Sequence, residues 1–257
     1  MSSINSQIDF IEFAANSNMH FSKFFLVWPW IGLGFFISIL ILAFGTNLFR
    51  SDLSKGRWFD PSWLAWLGAS AYMLHNIEEY GVAFNGMENA FPYFMAGALG
   101  FEISEGAYLA CNLGLVWLCG PLAAYLAKKL PGMAVCMSIF ELINGLSHVV
   151  QAAVFHMYNP GLITSIVVFL PLCCWTLYVC FFRKPKLLSG RLFWGQFLVG
   201  FVYHAILMMG VNLARMGVIN GVAQTLIMIV DAFIAIGGWY FFAARENKRK
   251  TATFKQE

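Results

Sequence analysis

Seven apolar stretches, each about 20 residues long, divide this chain. They run at roughly 24–45, 62–83, 104–127, 133–156, 161–182, 191–214 and 218–243. A bilayer's hydrocarbon core is about 30 Å thick, which an α-helix crosses in about 20 residues. No water is available there to satisfy backbone N–H and C=O groups, so each stretch is driven into a helix. Only 11% of the residues are charged, less than half the ~25% of a soluble domain. The sequence therefore predicts an all-α polytopic membrane bundle of seven transmembrane helices. Gly120-Pro121 predicts a kink in the third.

Basic residues orient the bundle. With the N-terminus out and the C-terminus in, the inner loops are 46–61, 128–132, 183–191 and the segment from Arg245. Of the 16 Lys and Arg, only Lys23 and Arg215 fall elsewhere. Cytoplasmic loops carry such an excess, and a miscounted span would reverse the side of every later loop. The expected organisation is an extracytoplasmic tail at 1–22, a seven-helix membrane domain at 23–244 and a basic cytoplasmic tail at 245–257. The first segment lacks the basic start of a signal peptide, and Ile8, Phe10, Ile11, Phe13 and Ala14 suit a short interfacial helix. Residues 84–103 form a long outer loop in which Glu88 and Glu102 are solvated. The net charge of +3 resides in loop anchors and a tail that can meet anionic headgroups. Membrane lipids are thus the expected partners, and nucleic acid is not. The six cysteines all lie within spans and read as small buried apolar residues, not as a disulfide framework.

Against this apolar background, His75-Asn76-Ile77-Glu78-Glu79 is costly. Each charge at the bilayer centre costs at least ~2.5 kcal/mol, so these residues need partners. Helical periodicity supplies candidates. Tyr72, His75 and Glu79 share a face of span two, with Glu78 beside them. Span three repeats the spacing with Glu105, Tyr108 and Asn112. Span four does so with Glu141, Asn144, His148 and Gln151. Span six carries Gln196, Gly200 and His204, and span seven Gln224, Met228 and Asp231. At ~1.5 Å per residue, Asn144, His204 and Asp231 fall near mid-span, His75 and His148 slightly outward, and Glu141 slightly inward. Glu78, Glu79 and Glu105 lie toward the outer surface. The expectation is a polar cavity opening outward. Asn112, Gln196 and Gln224 read as interhelical hydrogen-bonding groups. Asp231 can pair with His204 or Arg215. Three carboxylates do not suit that structural role, so His75, Glu78, Glu79, Asn144 and His148 are the candidate catalytic residues. Glu105, His204, Asp231 and Tyr158 are expected to support them.

His75-x-x-Glu78-Glu79 followed by Asn144-x-x-x-His148 resembles the HXXEE-motif family of bacterial integral membrane proteins. Tyr158-Asn159-Pro160-Gly161 is similar to a third element of that family. The resemblance spans about 62–165 and implies a bacterial inner-membrane protein with these site residues, but no established reaction. Locally, Pro160-Gly161 also suits a tight outer turn joining spans four and five.

Three chemistries fit the cluster. In the first, His75, Glu78, Glu79, Glu141 and His148 are metal ligands, a donor set suited to zinc, iron or manganese. The ion would neutralise the carboxylates and make hydroxide for hydrolysis or activate oxygen. In the second, no metal or other cofactor is needed. Two glutamates in different surroundings serve as acid and base, and an aromatic pocket drawn from Tyr72, Tyr108, Trp66, Trp117 and Tyr203 stabilises a cationic intermediate. An isomerase or cyclase of a sterol- or isoprenoid-like substrate would result. In the third, His75 and Glu79 are relay groups of a proton-coupled transporter or sensor. The first is preferred: a membrane hydrolase or oxidoreductase acting on a lipophilic small molecule reached from the bilayer or the outer face.

Overall fold

The structure is a computed structural model that describes residues 19–254, with no side-chain description at 253 and 254. Among these residues it is an all-α bundle of eight helices. These are α1 (Lys23–Gly45), α2 (Pro61–Asn76, continued by a π-turn at Ile77–Gly81) and α3 (Ala90–Leu99). Then come α4 (Glu105–Leu126), α5 (Pro131–Phe155), α6 (Leu162–Phe182), α7 (Gly190–Arg215) and α8 (Gly221–Phe254). Six of them, all but α2 and α3, are long and apolar enough to cross a membrane. The expected interfacial helix at Ile8–Ala14 lies outside the described residues.

Local chemistry fixes where helices start. Asp60 caps α2, accepting from the N–H groups of Ser62 and Trp63, with Pro61 at the first helical position. Ser22 caps α1 and is itself held by Glu105, whose Oε2 accepts its N–H at 2.9 Å and whose Oε1 pairs with its hydroxyl. Glu105 therefore ties the start of α1 to the start of α4. Just before Gly120-Pro121, where a kink is expected, α4 has a π-helical stretch at Ala110–Cys119. A second one, Ser165–Phe169, ends two residues before Pro171. Proline has no N–H and its ring meets the carbonyl four residues back. Widening the preceding turns accommodates that loss.

One expectation is corrected. The outer loop 84–103 contains α3, which starts after Asn89 in the left-handed region and stops at Gly100, also left-handed. Pro92 lies in its first turn, where no N–H is needed. Beyond residue 244, α8 continues as helix to Phe254. Within it, buried Glu246 accepts from the N–H and hydroxyl of Ser189, the N-cap of α7.

Candidate functional site

Helices α2 and α5 run parallel in a fixed register. Glu141 lies against Gly68, Asn144 donates to the Tyr72 hydroxyl at 2.8 Å, and the His148 and His75 rings meet at 5.0 Å. Glu79, one turn beyond His75, reaches both rings. Its Oε1 is 3.3 Å from His75 Nε2 and 3.4 Å from His148 Nε2. All three side chains are buried, and their ligand-capable atoms lie within 4.8 Å of one another.

Hydrogen bonds fix which imidazole nitrogens face Glu79. The Thr164 hydroxyl donates to Glu78 Oε2 at 2.6 Å, so it can only accept from His75 Nδ1–H, at 2.7 Å. On the other ring, the Asn159 amide donates to the His148 carbonyl at 2.9 Å, leaving Oδ1 to accept His148 Nδ1–H at 2.6 Å. A neutral ring at either position would carry its proton on Nδ1. Both Nε2 lone pairs then converge on a carboxylate oxygen. Three acceptors facing one another are repulsive unless a cation or a proton lies among them. Histidine with its far N–H tied to an oxygen is also the usual arrangement of a metal ligand.

Glu78 has a different task. Its Oε1 accepts from the Tyr158 hydroxyl at 2.8 Å and Ile163 N–H at 3.0 Å, and its Oε2 from the N–H and hydroxyl of Thr164 at 2.7 and 2.6 Å. A carboxylate offers about four lone-pair sites, and all are used. Glu78 thus caps the start of α6, where orphan N–H groups and the helix dipole favour negative charge. Burial holds the Tyr158 phenol above its usual range, so it remains a donor. The local N-cap position belongs to Gly161, which has no side chain to offer. A Cβ there would lie 2.6 Å from Cε1 of both His75 and His148, and φ is +97°. Glycine is needed for both reasons, and the cap must come from α2. The turn expected between spans four and five is therefore also the roof of the site.

Glu79, Tyr72 and Asn144 also line a cavity of ≈ 330 Å³ bounded by α2, α3, α4, α5, α7 and α8. Its aromatic wall includes Tyr72 and Tyr108, as expected, but Tyr80, Phe91 and Phe140 stand where Trp66, Trp117 and Tyr203 were expected.

A family model described as "Protein of unknown function with HXXEE motif" matches residues 66–176. This stretch is similar to that family. No curated protein and no solved structure matches the chain. The matched segment runs from α2 into α6 and contains every residue of the three-atom cluster. It also holds the groups that orient the cluster: Asn159, Gly161 and Thr164. Asn159 and Gly161 were visible within the Tyr-Asn-Pro-Gly element. Thr164 carried no sequence signal.

Other candidates lie elsewhere. Glu78 is saturated by hydrogen bonds and is not among the converging atoms. Glu141 faces Gly68 and Cys173, whose Sγ is 3.6 Å from its Oε2. Glu105 holds Ser22. His204 lines the cavity, stacked on Phe140 at 4.8 Å with Nδ1 on the Gly200 carbonyl. Asp231 pairs with neither His204 nor Arg215, and both its oxygens lack a partner among the described residues. As expected, Asn112, Gln196 and Gln224 bridge helices: Asn112 joins Asn76 and Tyr80, Gln196 donates toward the Gly132 and Trp239 carbonyls, and Gln224 accepts from Ser104.

Proposed function

We propose that this protein is a bacterial inner-membrane enzyme that acts on a lipophilic small molecule through one divalent metal held by His75, Glu79 and His148. The observation that carries the reading is the convergence of two imidazole nitrogens and one carboxylate oxygen, with both Nδ1–H groups tied off behind them and the Asn144 amide 3.5 Å from His75 Nε2. Two histidines and a carboxylate form a set used by zinc hydrolases and by non-haem iron oxygenases, and manganese is the third candidate. When bound, the ion would supply an activated water or oxygen species. Asn144 and Tyr72, at the cavity wall, would orient the substrate's polar end, and the apolar cavity would hold its body and exclude water.

The chain crosses the membrane seven times in this reading, N-terminus out and C-terminus in. Support comes from α2, whose 16 α-helical and 5 π-helical residues run without a break. At ~1.5 Å per residue it reaches about 30 Å. It is less apolar than the other long helices because it carries His75, Asn76, Glu78 and Glu79. The basic loops favour the orientation.

One observation favours metal-free acid–base catalysis instead. Glu79 borders the cavity while His75 and His148 stand behind it. A glutamate relaying protons to two imidazoles would need that placement. Cobalt(II) separates the two readings: d–d absorption bands from the native protein, lost in His148→Ala, are expected for the metal centre. A featureless spectrum from both would rule it out.

A further inference from the structure

The cavity also constrains what the substrate is and how it arrives. No lysine or arginine lines it among the described residues. Its one carboxylate is Glu79, and its other polar groups are amides, hydroxyls, a thiol and His204. A phosphate brought here would meet Glu79 and no countercharge, in surroundings where charge is costly to desolvate. A cationic headgroup would compete with the ion at Glu79. The volume of ≈ 330 Å³ is at the small end of ligand pockets, enough for one slender apolar body.

Access is sideways. Helices α5 and α7 meet at Gly200, where an added Cβ would stand 3.0 Å from Ile143 Cδ1 and 3.9 Å from Phe140 Cα. Beyond that crossing both helices contribute to the cavity, α5 through Asn144, Ser147 and Gln151 and α7 through Leu207 and Val211. Phe201 and Met208 line the cavity yet are 57% and 42% exposed. In membrane-spanning helices that exposure faces hydrocarbon, so the cavity opens to the bilayer between α5 and α7.

We infer that the substrate is an uncharged single-chain lipid with a neutral polar end, such as an alcohol, aldehyde or ester. It enters between α5 and α7 and sets that end against Glu79 and Asn144. This rests on the reading of the site as one for a lipophilic substrate; the exclusion of an anionic end does not rest on the metal, and the exclusion of a cationic end does.

Three photoreactive probes of equal chain length test it in proteoliposomes: a diazirine fatty alcohol, the alkyl phosphate and the alkylamine. The alcohol should label the peptides carrying Asn144–Gln151 and Phe201–Val211, and the other two should not. Overpacking the cavity with Leu207→Trp, or its rim with Ser147→Trp, should cut labelling about tenfold. Phe233→Trp, on a lipid-facing position of α8, should leave it unchanged. Labelling that persists in His75→Ala, with metal lost, upholds the substrate class independently of the metal. Equal or stronger labelling by the phosphate or the amine overturns the inference. So does alcohol labelling that ignores both tryptophans.

Discussion

Gly161→Ala is the most informative single substitution, because Gly86 offers a matched control. Both glycines have positive φ, +97° and +83°. A Cβ at Gly86 meets nothing within 4 Å, so Gly86→Ala isolates the backbone cost, about 1–3 kcal/mol. At Gly161 the same cost is joined by a collision with two rings. Ordinary contact begins at 3.4 Å and the added Cβ stands at 2.6 Å, so each ring must retreat by 3.4 − 2.6 = 0.8 Å. Neither is free to do so. His75 is held by Thr164 and lies tilted against Phe169 at 4.5 Å, and His148 is held by Asn159. Overpacking of this kind adds about 1–3 kcal/mol. A displacement of that size also exceeds the ~0.5 Å tolerance of a preorganised site. Thermal unfolding in detergent and metal titration are the assays. Gly161→Ala should lose more stability than Gly86→Ala and lose metal affinity as well. Equal losses of Tm with unchanged affinity would refute the roof assigned to Gly161.

Thr164→Val removes the hydroxyl between His75 and Glu78. It should weaken metal binding about 10- to 100-fold while the helices remain folded, as read by competition with a chromophoric chelator. Unaltered affinity would mean that the hydroxyl does not orient the ring. Tyr158→Phe removes one of four donors to Glu78 and should cost about 1.5–3 kcal/mol, visible as a lower Tm. No change would show that the capping network is not formed. Asp231→Leu replaces a buried carboxyl whose oxygens have no partner with an apolar group, and should raise stability by about 1–3 kcal/mol. A clear fall in Tm would mean that Asp231 has a partner.

Much of the fold was legible because hydrocarbon permits so few backbone conformations. Apolar stretches of the right length had to be helices, and their ends fall within a few residues of those expected, except that α8 runs on from 243 to Phe254. Helix α3 escaped because it is too short to span, although Pro92 near its start and Gly100 at its end are helix-boundary signals. The site was legible as residue types but not as roles. Periodicity placed Glu141 and His148 on one face of α5, and both are buried. Seven residues also separate them along the axis, about 10 Å, so Glu141 meets Gly68 while His148 meets His75. Periodicity likewise could not tell Glu78 from Glu79. That difference arises from α6, whose N-terminus claims one carboxylate and leaves the other to the histidines. Asp231 looked able to pair across helices, yet both oxygens lack a partner. Sequence spacing carries no information on rotation about a neighbouring helix.

The central claim is that His75, Glu79 and His148 hold one divalent ion, with Glu78 and Glu141 outside its coordination. Elemental analysis of purified native protein beside His75→Ala, His148→Ala and Glu141→Gln tests it directly. About one zinc, iron or manganese ion per chain is expected in the native protein and in Glu141→Gln, and none in the two histidine variants. A native protein free of metal after mild purification that does not take up any of the three on titration would contradict it. So would a metal content indifferent to both histidines.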